Sequence, residues 1–93
     1  MNNERFANVW DAIEDTPEQA ENMRFRSVLM IALKKHLART DLTQAQIAKM
    51  FGVTQPRVSG LLRGKIDGFG LDALVNMAAA AGLKVQLSVR KAA

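Results

Sequence analysis

The sequence contains no cysteine, which excludes both disulfides and thiolate metal sites. It has one histidine, His36, without a carboxylate cluster around it, and no Ser-His-Asp or paired-carboxylate arrangement. Catalysis and metal binding lack their usual side chains, so neither an enzyme nor a metalloprotein is expected. His36 reads instead as a partly exposed helical residue. The stretch GKIDGFG bears glycines but has neither the Walker spacing nor the dinucleotide fingerprint, and no cofactor is expected. No apolar run approaches membrane-spanning length, and the opening MNNERFANVW lacks a signal-peptide pattern. A cytoplasmic protein without membrane contact is the expectation. There are no repeats and no low-complexity tract.

What is present suits one domain: 93 residues of ordinary globular composition, enough for a modest core and too few for two. The five methionines are scattered and read as core or surface filler. The net charge of +4 is unevenly spread. Residues 1–33 are mainly acidic, and residues 66–93 are near balance. Residues 34–65 carry Lys34, Lys35, Arg39, Lys49, Arg57, Arg63 and Lys65 against Asp41 alone. A basic block is the electrostatic footprint of a nucleic-acid binder, because neutralising phosphates releases counterions. By itself such a block is more often a solvated surface; its position decides.

The block coincides with TQAQIAKMFGVTQPRVSGLLRG, residues 43–64, which spells helix, tight turn, helix. Thr43 caps QAQIAKMF, and Gln46 three residues on completes a capping box. Gly52 follows where a left-handed residue is wanted. Thr54 caps QPRVSGLLR, Pro56 falls in the first turn where its missing N–H costs nothing, and Gly64 closes the helix. Two short helices joined so tightly cross steeply. Ala48 is small at the crossing, and Ile47, Val53, Val58 and Leu61 point into the space beneath. Gln55, Arg57, Ser59 and Arg63 are left on the solvent face of the second helix. Such a helix fits the DNA major groove, where Arg pairs with guanine and Gln with adenine, each good pair contributing about 1–3 kcal/mol of discrimination.

This segment resembles the helix-turn-helix of the Cro/CI (Xre) family of repressors. Gln44, Ala48, Gly52, Val58 and Leu61 stand where that family has its opening polar residue, crossing residue, turn glycine and two core residues. The wider stretch, residues 43–89, is similar to the HigA-type antitoxins within that family, and covers about half the chain. The resemblance implies a lambda-repressor-like fold, homodimers, a phosphate contact from Gln44, and pairing with a RelE-like toxin. Gln55 and Arg57 are the first candidates for base contacts, with Ser59 and Arg63 further along. Thr54, beyond its cap, is a candidate phosphate contact. Lys49 and Lys65 are either phosphate partners or simply solvated. Two residues depart from the expected pattern. Gly60 sits inside the second helix, where it costs about 1 kcal/mol relative to Ala. It either allows close approach to DNA or is merely tolerated. Gly70 stands where a capping side chain would better begin the next helix.

Around the motif, Thr16, Pro17 and Gln19 open a long helix running to about Arg39, its core face formed by Phe25, Val28, Leu29, Ala32, Leu33 and Leu37. A further helix spans Leu71 to Ala81, with Leu71, Leu74, Val75 and Ala78 inward, Asp72 favouring its N-terminus, and Gly82 ending it. The closing LKVQLSVR alternates strictly, Leu83, Val85, Leu87 and Val89 against polar residues, as a half-buried strand does. Nothing else in the chain reads as its partner. It either pairs with the same strand of a second subunit or folds over its own helices. Near the N-terminus Phe6, Val9, Trp10 and Ile13 recur at helical spacing among Glu4, Asp11, Glu14 and Asp15. That segment either binds a partner, ordering on contact, or docks on the protein's own core.

The expected architecture is mainly α: a helix-turn-helix domain of four main helices over residues 16–82, preceded by a variable segment, 1–15. A dimerising strand and tail, 83–93, follow. The expected function is a repressor of a palindromic operator, doubling as an antitoxin. The alternative is a plain phage-type dimeric regulator without a toxin.

Overall fold

The computed structural model describes residues 16–92. Phe6, Val9, Trp10 and Ile13 therefore lie outside the described residues. Four helices follow in order: α1 (Pro17–Ala38), α2 (Gln44–Phe51), α3 (Gln55–Leu62) and α4 (Leu71–Ala80), with one 3₁₀ turn, Ile66–Gly68, between α3 and α4. The mainly helical class expected from the sequence is the one formed.

Each start has a local cause. The Thr16 hydroxyl accepts from the Gln19 N–H at 3.0 Å, and Pro17 occupies the first helical position of α1. At α2 both halves of the capping box are made. Gln46 N–H donates to the Thr43 hydroxyl at 3.2 Å, and Thr43 N–H donates to the Gln46 side chain at 2.8 Å. Thr54 caps α3 by accepting from the Arg57 N–H at 3.4 Å. The start of α4 has no side-chain cap, because Gly70 occupies the position.

The turn between α2 and α3 depends on Gly52, which adopts φ 70° and ψ 34°. A side chain is disfavoured there, and the reversal lets Val53 N–H reach back to the Ala48 carbonyl at 3.0 Å. The same closure recurs at the other two short helices. Lys65 N–H bonds the Gly60 carbonyl after α3, and Leu83 N–H bonds the Ala78 carbonyl after α4.

The core is one cluster: Met30, Leu33 and Leu37 from α1, Ile47 and Ala48 from α2, Val58 and Leu61 from α3, Leu74, Met77 and Ala78 from α4, and Phe69 from the connecting loop. α1 packs chiefly on α4, and α2 chiefly on α3. His36, half-buried near the end of α1, donates from Nε2 to the Ala81 carbonyl at 3.0 Å, fastening α1 to the last turn of α4.

Three sequence expectations are corrected here. The core face of α1 is rotated from the one expected. Leu33 and Leu37 are buried and Leu29 is half-buried, but Phe25, Val28 and Ala32 face outward, Val28 being 58% exposed. The inward row runs through Met30, Leu33 and Leu37, which are buried, and its helical spacing extends back to the half-buried, charged Arg26. Apolar residues also occur on the outer side of α1, so two rows compete for the core and packing selects the one facing α4. In α4, Val75 likewise lies outside, 38% exposed, while Met77 is buried. The third correction concerns the C-terminus: there is no strand among the described residues. Leu83 packs against the core, whereas Val85, Leu87 and Val89 are exposed, the last two by 76% and 86%. A lone extended segment leaves its N–H and C=O groups without a ladder, and the described residues supply no second segment to complete one. Beyond Leu83, positions 84–92 are exposed rather than packed on the helices.

Candidate nucleic-acid interface

The helix pair α2–α3 is held from beneath by Ile47, Ala48, Val58 and Leu61, so the opposite faces of both helices are presented to solvent. On α2, Gln44 opens the helix and Lys49 lies in its last turn, both exposed. On α3, Gln55 is exposed at the first position, and Arg63 is exposed at the cap. Lys65 is exposed just beyond. Thr54 is exposed, and its oxygen already accepts the Arg57 N–H, leaving its O–H free to donate. Gln55, Thr54, Arg63 and Lys65 are thus brought together at and around α3, with Gln44 and Lys49 on the neighbouring helix.

Two candidates are more enclosed than the sequence suggests. Ser59 is half-buried. Arg57 is half-buried too, because its guanidinium lies over the Phe69 ring, 4.4 Å from the centroid, and Nη1 donates to the Gly68 carbonyl at 2.8 Å. A guanidinium over an aromatic face contributes about 0.5–1 kcal/mol at an accessible site. Gly60 also has a definite neighbour. A Cβ built there would meet the Phe69 ring at 3.7 Å, an ordinary van der Waals distance. Gly60 therefore faces the Phe69 side of α3.

Sequence reasoning missed Phe69 and Arg26. Phe69 is 2% exposed and belongs to the core. Arg26 reaches from α1 and donates from Nη1 to the carbonyls of Phe69, at 3.3 Å, and Ile66, at 3.5 Å. The loop 66–69 is thus gripped by one arginine from α1 and another from α3. The available signal was its composition: glycines at 68 and 70 around an aromatic residue leave carbonyls and a ring exposed to neighbours.

Charge completes the site. No acid lies in α2 or α3, so the exposed cations there meet no carboxylate on their own elements. On α1, Arg24 pairs with Glu21 at 3.0 Å. There is no cluster of metal-ligating side chains among the described residues. No helix among them is long and apolar enough to cross a membrane.

A capped helix, a left-handed glycine turn and a second capped helix with a polar, basic outer face define a helix-turn-helix DNA-binding domain. The chain belongs to the helix-turn-helix domain family, whose model matches residues 12–90. A solved structure described as "Putative XRE Family Transcriptional Regulator" is similar to it at 33% identity, over 78% of this chain and 82% of that one, with a TM-score of 0.72. No curated protein matches the chain in sequence. The Xre resemblance drawn from residues 43–64 thus agrees with a likeness in both sequence and fold.

Proposed function

We propose that this protein is a dimeric, sequence-specific transcriptional repressor. It sets α3 into the major groove of a palindromic operator and occludes a promoter. The observation that carries this reading is the outer face of α3: Gln55 and Arg63 exposed, Arg57 half-exposed, and no acid on either helix of the motif. Gln55 and Arg57, in the first turn, read base edges, and Ser59 and Arg63 extend the contact along the groove. Gln44, the Thr54 hydroxyl, Lys49 and Lys65 bond phosphates, which sets register without carrying sequence information.

The exposed apolar residues Val85, Leu87 and Val89 support dimerisation. Together with Leu83 they form one side of an alternating segment. Pairing with the same segment of a second copy supplies both the missing ladder and cover for the apolar row. Two-fold symmetry then places two α3 helices about 34 Å apart, one turn of DNA.

A second activity, neutralising a RelE-like toxin as HigA-type antitoxins do, is supported by residues 1–15, where Phe6, Val9, Trp10 and Ile13 recur at helical spacing among four acids. A plain phage-type regulator would lack such a client. Co-expression with a basic, RelE-like protein encoded beside this gene separates the two: rescue of growth that fails when Trp10 is changed to Ala supports the antitoxin role.

The repressor reading is tested by fluorescence anisotropy against the protein's own upstream DNA and a scrambled duplex at two salt concentrations. Tighter binding to the native fragment that persists at the higher salt is expected. Equal and steeply salt-sensitive binding to both would show that the basic face acts alone.

A further inference from the structure

Arg57 is held before any DNA arrives. Its guanidinium lies against the Phe69 ring at 4.4 Å, and Nη1 is bonded to the Gly68 carbonyl at 2.8 Å. The Nε and Nη2 donors form the opposite edge of the same planar group, a pair spaced to meet the O6 and N7 acceptors of guanine. The ring is itself fixed. It is buried in the core, with its Cε2–Cζ edge beside Gly60 of α3. The loop carrying it is tied to α1 by Arg26, which bonds the carbonyls of Phe69 and Ile66 at 3.3 and 3.5 Å. The turn closes on itself through Phe69 N–H to the Ile66 carbonyl at 3.0 Å.

We propose that Phe69, with Arg26 behind it, is a positioning residue for base readout: the loop 66–69 holds the Arg57 guanidinium in one orientation, so that this arginine reads a single guanine in each half-site. A long side chain free in solvent loses its rotamer freedom when it docks, and one already stacked and bonded has lost most of it beforehand. Specificity at one base pair therefore depends on a loop and a helix that do not themselves contact the base. This inference rests on the repressor reading and on Arg57 as a base contact.

The test is a binding scan of the operator and its single-base variants with wild type, Arg57→Ala, Phe69→Leu and Arg26→Lys. Wild type should lose about 5- to 150-fold in affinity at one guanine per half-site. Arg57→Ala should abolish that preference. Phe69→Leu and Arg26→Lys should weaken it several-fold at the same base pair, leaving the other positions and the salt dependence unchanged. In the DNA-free protein, the Arg57 Nε–H resonance should be displaced by the ring current of Phe69 and return to its ordinary place in Phe69→Leu. Should Phe69→Leu fail to fold, Arg26→Lys, which leaves the apolar core intact, and the wild-type resonance decide. Full discrimination in both loop variants, or an Arg57 resonance without ring-current displacement, overturns the proposal while the repressor reading stands. Wild-type binding without base preference, or Arg57→Ala retaining every preference, overturns the underlying reading and the proposal with it.

Discussion

Replacing Gly60 with Ala should stabilise the protein without weakening DNA binding. Inside α3, Ala is favoured over Gly by about 1 kcal/mol, because the unfolded chain has less freedom to lose. The new methyl would lie 3.7 and 3.9 Å from Phe69 Cε2 and Cζ, close enough for contact and not for a clash. Full burial of one such group contributes about 0.8 kcal/mol, and a half-buried one about half of that. The expected gain is therefore about 1–1.5 kcal/mol. For a domain of this size it corresponds to a rise in Tm of about 5–10 °C. Thermal unfolding followed by far-UV circular dichroism measures it, at one fixed protein concentration because the proposed dimerisation would link Tm to concentration. A DNA titration of the same variant completes the experiment. A fall in Tm would mean that the ring cannot tolerate the methyl, and that α3 depends on closer packing than its geometry shows. A raised Tm with weakened DNA binding would return Gly60 to the DNA face and refute the orientation of α3 described above.

Gly70, the uncapped start of α4, has φ −71°, a value any residue adopts, and open space where a Cβ would be. Gly70→Ser should add about 0.5–1 kcal/mol through a new cap and a stiffer unfolded chain, read as a shift in urea midpoint; a lower midpoint would contradict the open geometry. Lys49→Ala should leave the ratio of operator to scrambled affinity unchanged and flatten the log K against log salt slope by about 2 per dimer, one phosphate contact in each subunit. An unaltered slope would assign Lys49 to solvent. Positions 84–92 are all exposed, so after removal of residues 84–93 helical circular dichroism should persist while sedimentation shows monomers with weak DNA binding. A stable dimer after truncation would place the subunit contact elsewhere.

The motif was legible because its signals are local. Thr43, Gln46, Gly52, Thr54 and Gly64 act on their own or adjacent turns, and each performs the expected task. Four helices and the core roles of Ile47, Val58, Leu61 and Leu74 followed from spacing alone. The face of α1 did not, because Arg26 sits in the inward row and its charge disguises that row as surface. Only the carbonyls of a loop forty residues further on make the inward position tolerable. Arg57 was found as a residue and misjudged as free, since a stacking partner twelve positions away leaves no periodic trace. The C-terminal alternation was visible, and its conformation was not, because a strand is a property of pairing rather than of one segment.

α1 has a further consequence as a ruler. Its 22 residues, at about 1.5 Å each, make a rod about 33 Å long. At one end is Thr16, where residues 1–15 attach; at the other, His36 is fastened to Ala81, next to the point where the C-terminal segment departs. The two points of attachment thus lie at opposite ends of a stiff spacer. If the proposed client and the proposed twin subunit bind these two appendages, they need not compete for room. On the proposed reading, occupancy of one would then add to occupancy of the other.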